Sequence, residues 1–210
     1  MDIYNNYGGK RAFDIAAAAA LIAPAAAISL VCAFARAHDD LKTHGTKLSL
    51  LERLRGKGLF FNQMRTGRHG EEFKILKVKT MRDPEYDGQS NDERIGTVGH
   101  WLRSHKCDEL PQIWNVLRGQ MSIVGPRPVS PGDPEAKDEF RHSVRPGLLS
   151  TAAVLGVRNT LPPDKLIALD HADIQASSLR RDLNMAVQFV KNRGAIKEAP
   201  NHRELHSLEL

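Results

Sequence analysis

The sequence predicts a mixed α/β chain led by an apolar amino-terminal helix, and three stretches carry that expectation. Ile15–Ala35 runs for 21 residues without a formal charge. Phe73, Ile75 and Val78 include a partial alternation suited to a strand, with Leu76 leaving it ambiguous, and Gly67 and Gly70 mark a hairpin-like turn back to Phe60-Phe61. Leu110, Ile113, Trp114 and Leu117 recur at helical spacing.

The 210 residues suffice for one moderate domain with appendages. A formal charge of +5 and a pI of about 9.3 point to anionic partners: a phospholipid surface, a nucleotide or a nucleic acid. Cys32 and Cys107 form neither zinc-ligand spacing nor a disulfide framework, which makes a reducing cytosolic setting the default. By context Cys32 looks membrane-facing and Cys107 helix-proximal.

Taken in order, the apolar stretch comes first. As a helix it measures about 31 Å, enough to cross a bilayer core. Pro24, near its middle, removes one internal hydrogen bond and crowds the preceding turn, so a bend or break is expected there. Lys10 and Arg11 precede the stretch, and Arg36, Lys42 and Lys47 follow it. Basic flanks prefer the cytoplasmic side, so two of them favour a broken helix that dips into one leaflet and returns, provided the freed amides find partners. A spanning anchor, an alanine-rich core helix and a cleaved signal peptide are the alternatives; the last lacks a clean small-residue exit site.

Leu48, Leu50, Leu51 and Leu54, interleaved with Arg53, Arg55 and Lys57, then make a short basic amphipathic segment, suited to an anionic membrane surface or to an interdomain helix. Beyond the hairpin, Asp83–Glu93 is rich in acid, Gly and Asn and reads as a loop. Asp108 and Glu109 stand just before the next helical pattern with Pro111 close behind, so a helix is predicted to start near Asp108. A first-turn proline is tolerated because the amide it lacks has no partner there. A carboxylate at that end is favoured by the helix dipole, and a phosphate could be held there too; a plain N-cap is the other reading. Gly125-Pro126-Arg127-Pro128 makes a rigid turn that can aim an arginine at a phosphate or carboxylate, or it is ordinary loop. Leu166–Asp182 is helix-compatible, and Leu183, Ala186, Val187 and Val190 predict a last helix ending near Gly194. His202 and His206 share helical spacing in the tail but lack partner ligands for a metal.

The run CDELPQIWNVLRGQMSIVGPRP, from Cys107 to Pro128, resembles the signature of the bacterial sugar transferases, specifically the small monotopic polyprenol-phosphate phosphoglycosyl transferases. Lys10, Arg11 and Asp14 match that family's Lys-Arg-x-x-Asp opening. Phe60, Phe61, Gln63, Arg65, Gly67, Gly70 and Phe73 follow its next pattern, and Lys77-Val78-Lys79-Thr80-Met81 its Lys-Phe-Arg-Thr-Met string. The likeness runs from Lys10 to Leu183 and is densest from Leu59 to Pro128. There are departures. Lys79 stands for an arginine, Lys57-Gly58 for Gly-Pro, Ser104-His105-Lys106-Cys107 for an ending in Ser-Leu, and after Gly147 a glutamine position holds Ala153 while an arginine is shifted to Arg158 or lost.

What the resemblance implies is a compact mixed α/β catalytic domain with a proline-broken re-entrant membrane helix and amphipathic surface helices. Its segments are 1–36 as the re-entrant helix, 37–58 as a basic amphipathic linker, 59–194 as the catalytic domain on the cytoplasmic face of the inner membrane, and 195–210 as a polar tail. Asp14 is placed near the interface, bonding donors freed at a helix end or serving as a first-turn acid. The implied reaction moves a phosphosugar from a nucleoside diphosphate sugar, a uridine derivative, to polyprenol phosphate, with Mg2+. Asp108 maps to the nucleophile and Glu109 to its acidic partner, both as metal ligands. Arg65, Lys79, Arg103, Arg127 and Arg145 map to donor or lipid phosphate contacts, with plain surface charge the alternative for Arg65, Lys79 and Arg145. Membrane lipids are implied partners, and a homodimer is left open.

Three other readings are weaker. A membrane-associated relative that has lost turnover would keep the architecture. A cysteine hydrolase would use Cys107 with His105 but lacks a third group. A nucleic-acid binder is disfavoured because no reader motif is present and the basic residues are intermixed with acids.

Overall fold

The computed structural model describes residues 9–44, 59–81, 90, 94–157 and 160–192. The amphipathic segment around residues 48–57, most of the loop at 83–93, Arg158 and the tail with His202 and His206 lie outside the described residues. The fold is mixed α/β, in two units. The first comprises Met1–Ala18, Met64–Phe73 and Asn115–Leu210, and the second Ala19–Gln63 and Lys74–Trp114.

Helix α1 (Lys10–His44) is 35 residues long and contains Pro24 without interruption. The expected break does not appear. The alanine-rich residues on both sides are strong helix formers, and the proline withdraws a single amide from a long ladder. Among the described residues α1 is the one helix long and apolar enough to cross a membrane. Ile15, Leu21, Ile28, Leu30, Val31 and Phe34 stand exposed along it, apolar surface of the kind a membrane would cover.

In the first unit the foot of α1 is held by charge. Lys10 is buried and reaches Asp182 Oδ2 at 2.5 Å and Asp14 Oδ1 at 3.3 Å. Asp14 Oδ1 also accepts from Ser122 Oγ and the Ile123 amide, each at 3.0 Å, so this carboxylate serves a strand rather than freed helix-end donors. Arg11 donates to the carbonyls of Val116 and Leu117 at 2.6 and 2.9 Å, satisfying the last turn of a short helix. In the second unit Arg36 is buried and donates to the Met81 carbonyl at 3.1 Å. Three of the five flanking bases are thus engaged with protein, but of these contacts only those of Lys10 are with carboxylates and offset its charge.

The expected hairpin is present as β1 (Phe60–Thr66) and β2 (Glu72–Val78). Its turn, Arg68–Gly70, is a single 3-10 turn with His69 and Gly70 at positive φ. In the second unit Val78 joins Cys32, Ala33, Ala37, Leu59, Leu102 and Cys107 in one hydrophobic core. Cys32 is therefore buried and not membrane-facing: its α1 face, with Ala33 and Ala37 one turn on, is narrow enough for α2 (Thr97–Ser104) to approach. Gly99 lets α2 close on the chain just after β2 as well, since a Cβ there would lie 2.4 Å from the Thr80 carbonyl oxygen.

Helix α3 (Ile113–Leu117) precedes β3 (Ser122–Val124), which pairs in parallel with β4 (Gly147–Leu149), Ser122 opposite Gly147 and Val124 opposite Leu149. Strands this short carry no readable alternation. The approach depends on glycine: a Cβ on Gly147 would sit 2.1 Å from the Gly125 nitrogen. After α4 (Thr151–Val154), the predicted helix Leu166–Asp182 resolves into α5 (Pro163–Gln175) and α6 (Leu179–Asn192). Ser178 makes the division, its hydroxyl accepting from the Arg181 amide at 3.3 Å as an N-cap. Asp182 consequently lies in the first turn of α6, where it meets Lys10.

Candidate active site

Asp108 lies in the second unit on a 3-10 turn, Cys107–Gln112, ahead of the α-helical residues of α3. A helical segment does start beside Asp108, as predicted, but its first turns are of the 3-10 type. Lys106 adopts a left-handed conformation with φ 57 just before the turn, and Pro111 offers no amide to an α-type bond, so the tighter turn persists to Gln112. Asp108 is consequently not an N-cap, and the short helix behind it has little dipole to offer.

Its environment is nonetheless specific. Asp108 is 9% exposed, and its pKa is raised from 3.8 to about 6. Burial is the main cause and the neighbouring charge of Glu109 the next; Lys77, a hydrogen bond from the backbone and Lys106 oppose them. Glu109 Oε1 receives a hydrogen bond from Lys77 Nζ at 2.9 Å, both side chains being mostly buried. Lys77, on β2, was missed by the motif reading, which favoured Lys79 two residues on. Its signal was its place at the head of the Lys-Val-Lys-Thr-Met string.

The other candidates divide between the units. In the second, Arg103 ends α2 and donates from Nε to Thr80 Oγ1 at 2.8 Å, while Lys79 is half-buried and its amide bonds the Leu59 carbonyl at 2.9 Å. In the first, Arg65 donates to Ser130 Oγ beside the bridge between Thr66 and Val129. Arg127 is half-buried in the Pro-framed turn, its carbonyl accepting from the Arg141 guanidinium. Arg145 donates from Nε to the Gly119 carbonyl at 2.7 Å, a bond that shapes the chain whatever else the side chain does. Glu109 and Lys77 are thus brought to Asp108, Arg103 is tied to Thr80, and Arg65, Arg127 and Arg145 belong to the first unit.

The Cys107 with His105 alternative finds no support. The thiol donates to the His105 carbonyl at 3.7 Å, whereas Nδ1 of the ring contacts the Trp101 carbonyl at 2.8 Å and the ring stacks on Trp101. Among the described residues no three His, Cys, Asp or Glu side chains converge as a metal-ligand group.

The family model described as bacterial sugar transferase matches residues 5–193. A UDP-glucose:undecaprenyl-phosphate glucose-1-phosphate transferase of Caulobacter vibrioides is 38% identical over 201 residues, which cover 86% of this chain and 68% of that protein. The exopolysaccharide production protein ExoY of Rhizobium meliloti is 32% identical over 198 residues, covering 83% of this chain and 80% of its own length. An undecaprenyl-phosphate glucose phosphotransferase of Komagataeibacter xylinus is 33% identical over 201 residues, 87% of this chain but only 35% of that longer protein. With the match to the family model running through nearly the whole chain, the protein belongs to the bacterial sugar transferase family.

Proposed function

We propose that this chain is a sugar-1-phosphate transferase that moves a phosphosugar from a uridine-linked nucleoside diphosphate sugar to polyprenol phosphate through an intermediate on Asp108. The observation that carries the reading is a buried carboxylate with an elevated pKa beside the Glu109–Lys77 ion pair. With its pKa raised to about 6, Asp108 is still mostly ionised at pH 7. Poorly hydrated, it sheds little solvent before attack.

In the first half-reaction a carboxylate oxygen of Asp108 bonds the sugar-bearing phosphorus, and the bond from that phosphorus to the nucleotide phosphate oxygen breaks, releasing nucleoside monophosphate. In the second, an oxygen of polyprenol phosphate attacks the same phosphorus and expels the Asp108 carboxylate. Lys77 holds Glu109 in place and offsets part of its charge. Lys79 and Arg103, in the same unit as Asp108, are the candidates to neutralise the diphosphate there, without which an anion would not approach an anionic nucleophile, and Arg65, Arg127 and Arg145 are the first unit's candidate donor or lipid phosphate ligands.

A divalent cation fits the pair. The charge of Glu109 still helps to raise Asp108 in the presence of Lys77, a surplus of negative charge that a cation would offset. Mg2+ is commonly held by one or two carboxylates with substrate phosphates completing its shell, and Asp108 and Glu109 would be those carboxylates. When bound, it supplies charge neutralisation at the diphosphate.

The membrane part of the reading has α1 entering and leaving on the cytoplasmic face, bending at Pro24 on insertion. Leu179, Leu183 and Val187, exposed at four-residue intervals on α6, suit a surface-lying helix. Polysaccharide initiation, exopolysaccharide foremost, is the process served. The test is intact mass and nucleotide release on detergent-solubilised protein with Mg2+ and a panel of nucleoside diphosphate sugars, UDP-glucose first. A mass gain equal to one phosphosugar, with matching nucleoside monophosphate, supports the reading. Folded protein that binds a donor without adduct or release refutes it and leaves a relative without turnover.

A further inference from the structure

Behind the Gly125–Pro128 turn lies a buried ion pair that the proposed chemistry does not use. Arg141 and Asp170 are 4% and 5% exposed, and Arg141 Nε donates to Asp170 Oδ2 at 2.6 Å. A terminal nitrogen of the same guanidinium donates to the Arg127 carbonyl. The Arg141 amide donates to Asp138 Oδ1 at 2.7 Å, and that oxygen also meets His171 Nε2 at 2.8 Å. The ring of Phe140 packs edge-on to His171 at 4.7 Å. Adjacent residues of α5, Asp170 and His171, therefore grip Arg141 and its chain neighbours.

The turn needs such a hold. Pro126 and Pro128 have no amide hydrogen, so two of the donors that normally fix a loop are missing around Arg127. Past the Gly125 amide, which donates to the Leu149 carbonyl at 3.0 Å, the backbone is held by its carbonyls: Pro126 accepts from the Gly147 amide at 2.7 Å, Val129 from the Thr66 amide at 2.9 Å, and Arg127 from Arg141. A buried ion pair is a weak route to stability, because desolvation offsets most of the attraction. It is a good route to position, since a planar guanidinium fixes two acceptors at a set angle where an ammonium cannot.

We infer that Arg141, set by Asp170, is a positioning residue that holds the main chain at Arg127 so that the Arg127 side chain meets the nucleoside monophosphate portion of the donor. This rests on the proposed function, in which Arg127 is a donor ligand. The test measures uridine monophosphate affinity of the full-length detergent-solubilised protein, with donor KM and kcat, for Arg127→Ala, Arg141→Lys, Asp170→Asn and the pairwise combinations with Arg127→Ala.

Arg141→Lys and Asp170→Asn are each expected to weaken nucleotide binding and raise donor KM by about tenfold, with kcat within about threefold of wild type. In the Arg127→Ala background each adds less than about twofold, because the residue being positioned is gone. A merely structural role would give the same loss in both backgrounds, which overturns the inference. So does wild-type affinity in a folded Arg141→Lys variant when Arg127→Ala weakens binding. If Arg127→Ala leaves nucleotide affinity unchanged, the assignment of Arg127 to the donor fails first and takes the inference with it. Should Arg141→Lys not fold, Asp170→Asn, which keeps size and shape, carries the same comparison.

Discussion

Replacing Asp108 by asparagine should stabilise the protein while abolishing its chemistry. The carboxyl is moved from 3.8 to about 6, chiefly by burial and then by Glu109. At about 1.4 kcal/mol per pKa unit, that difference makes the ionised group cost up to about 3 kcal/mol of folding stability. An isosteric neutral amide keeps the shape and loses the charge, and relaxation around the site lowers the realised gain to about 1–3 kcal/mol. For a chain of this length each kcal/mol raises Tm by roughly 2–4 °C. The pH dependence separates this cause from others. The folded chain holds the Asp108 proton more tightly than the unfolded chain does, so wild-type stability rises as pH falls from about 6 towards 3.8 and is lost as pH rises through that window. The advantage of Asp108→Asn is therefore full above about pH 6 and gone below about pH 4. Thermal melts of both proteins from pH 4 to 8, with donor-dependent nucleotide release as the activity readout, make the comparison. A lower Tm for the variant at pH 8, or a gap that does not change with pH, would refute the burial reasoning; unchanged turnover would remove Asp108 from the nucleophile role.

Three further outcomes follow from the geometry. Lys77→Met removes a charge that lowers the Asp108 pKa and Glu109→Gln one that raises it, so the acid limb of single-turnover nucleotide release should move to higher pH in the first and lower pH in the second, by about half to one unit; limbs that move together contradict the assignment. Lys10→Met leaves the buried carboxylates of Asp14 and Asp182 without their shared cation, and urea unfolding should register a loss on the order of 3–5 kcal/mol, whereas exposed Lys74→Met should register almost none. Gly147→Ala would drive a Cβ into the Gly125 backbone and should destabilise by about 3 kcal/mol or prevent folding, while Gly132→Ala, with nothing within 4 Å, should be neutral in the same melts.

The elements legible in the sequence are those whose signal is local. The hairpin showed through Phe73, Ile75 and Val78 and through Gly67 and Gly70, and the apolar helix through its lack of charge. The parallel pair β3–β4 was invisible because three residues per strand give no period and their partners lie 25 positions apart, Ser122 with Gly147. The helix start at Asp108 was legible, but not that its first turns are 3-10, because a proline near a helix start is compatible with both types. Asp108 and Glu109 stand out in the sequence as adjacent acids in a long motif; Lys77 has a motif position too, at the head of the Lys-Val-Lys-Thr-Met string, but nothing local shows that it pairs with Glu109. Arg141 went unnoticed for the same reason: its partners, Arg127 and Asp170, are local to nothing in its own stretch.

These nonlocal charges change the topology argument as well. Lys10, Arg11 and Arg36 flank the apolar stretch and look, in sequence, like residues that keep both ends on the cytoplasmic side. Lys10 spends its charge on Asp14 and Asp182, Arg11 closes the carbonyl end of α3, and Arg36 bonds Met81. Lys10, paired with two carboxylates, has little charge left for lipid headgroups or for the potential that biases loop retention, whereas the bonds of Arg11 and Arg36 to neutral carbonyls do not offset theirs. If α1 returns to the side it entered, two causes stand against each other: the flanking charge of Arg11, Arg36, Lys42 and Lys47, and the uncovered apolar side chains together with how Pro24 yields once lipid replaces water. Substituting the two groups separately distinguishes these causes. Pro24→Ala should convert a returning helix into a spanning one, read by thiol labelling of cysteines placed at each flank, whereas Arg36→Gln should leave the labelling pattern as it was. A pattern that follows Arg36 and ignores Pro24 would restore the flanking charge as the determinant and undo this account of the helix.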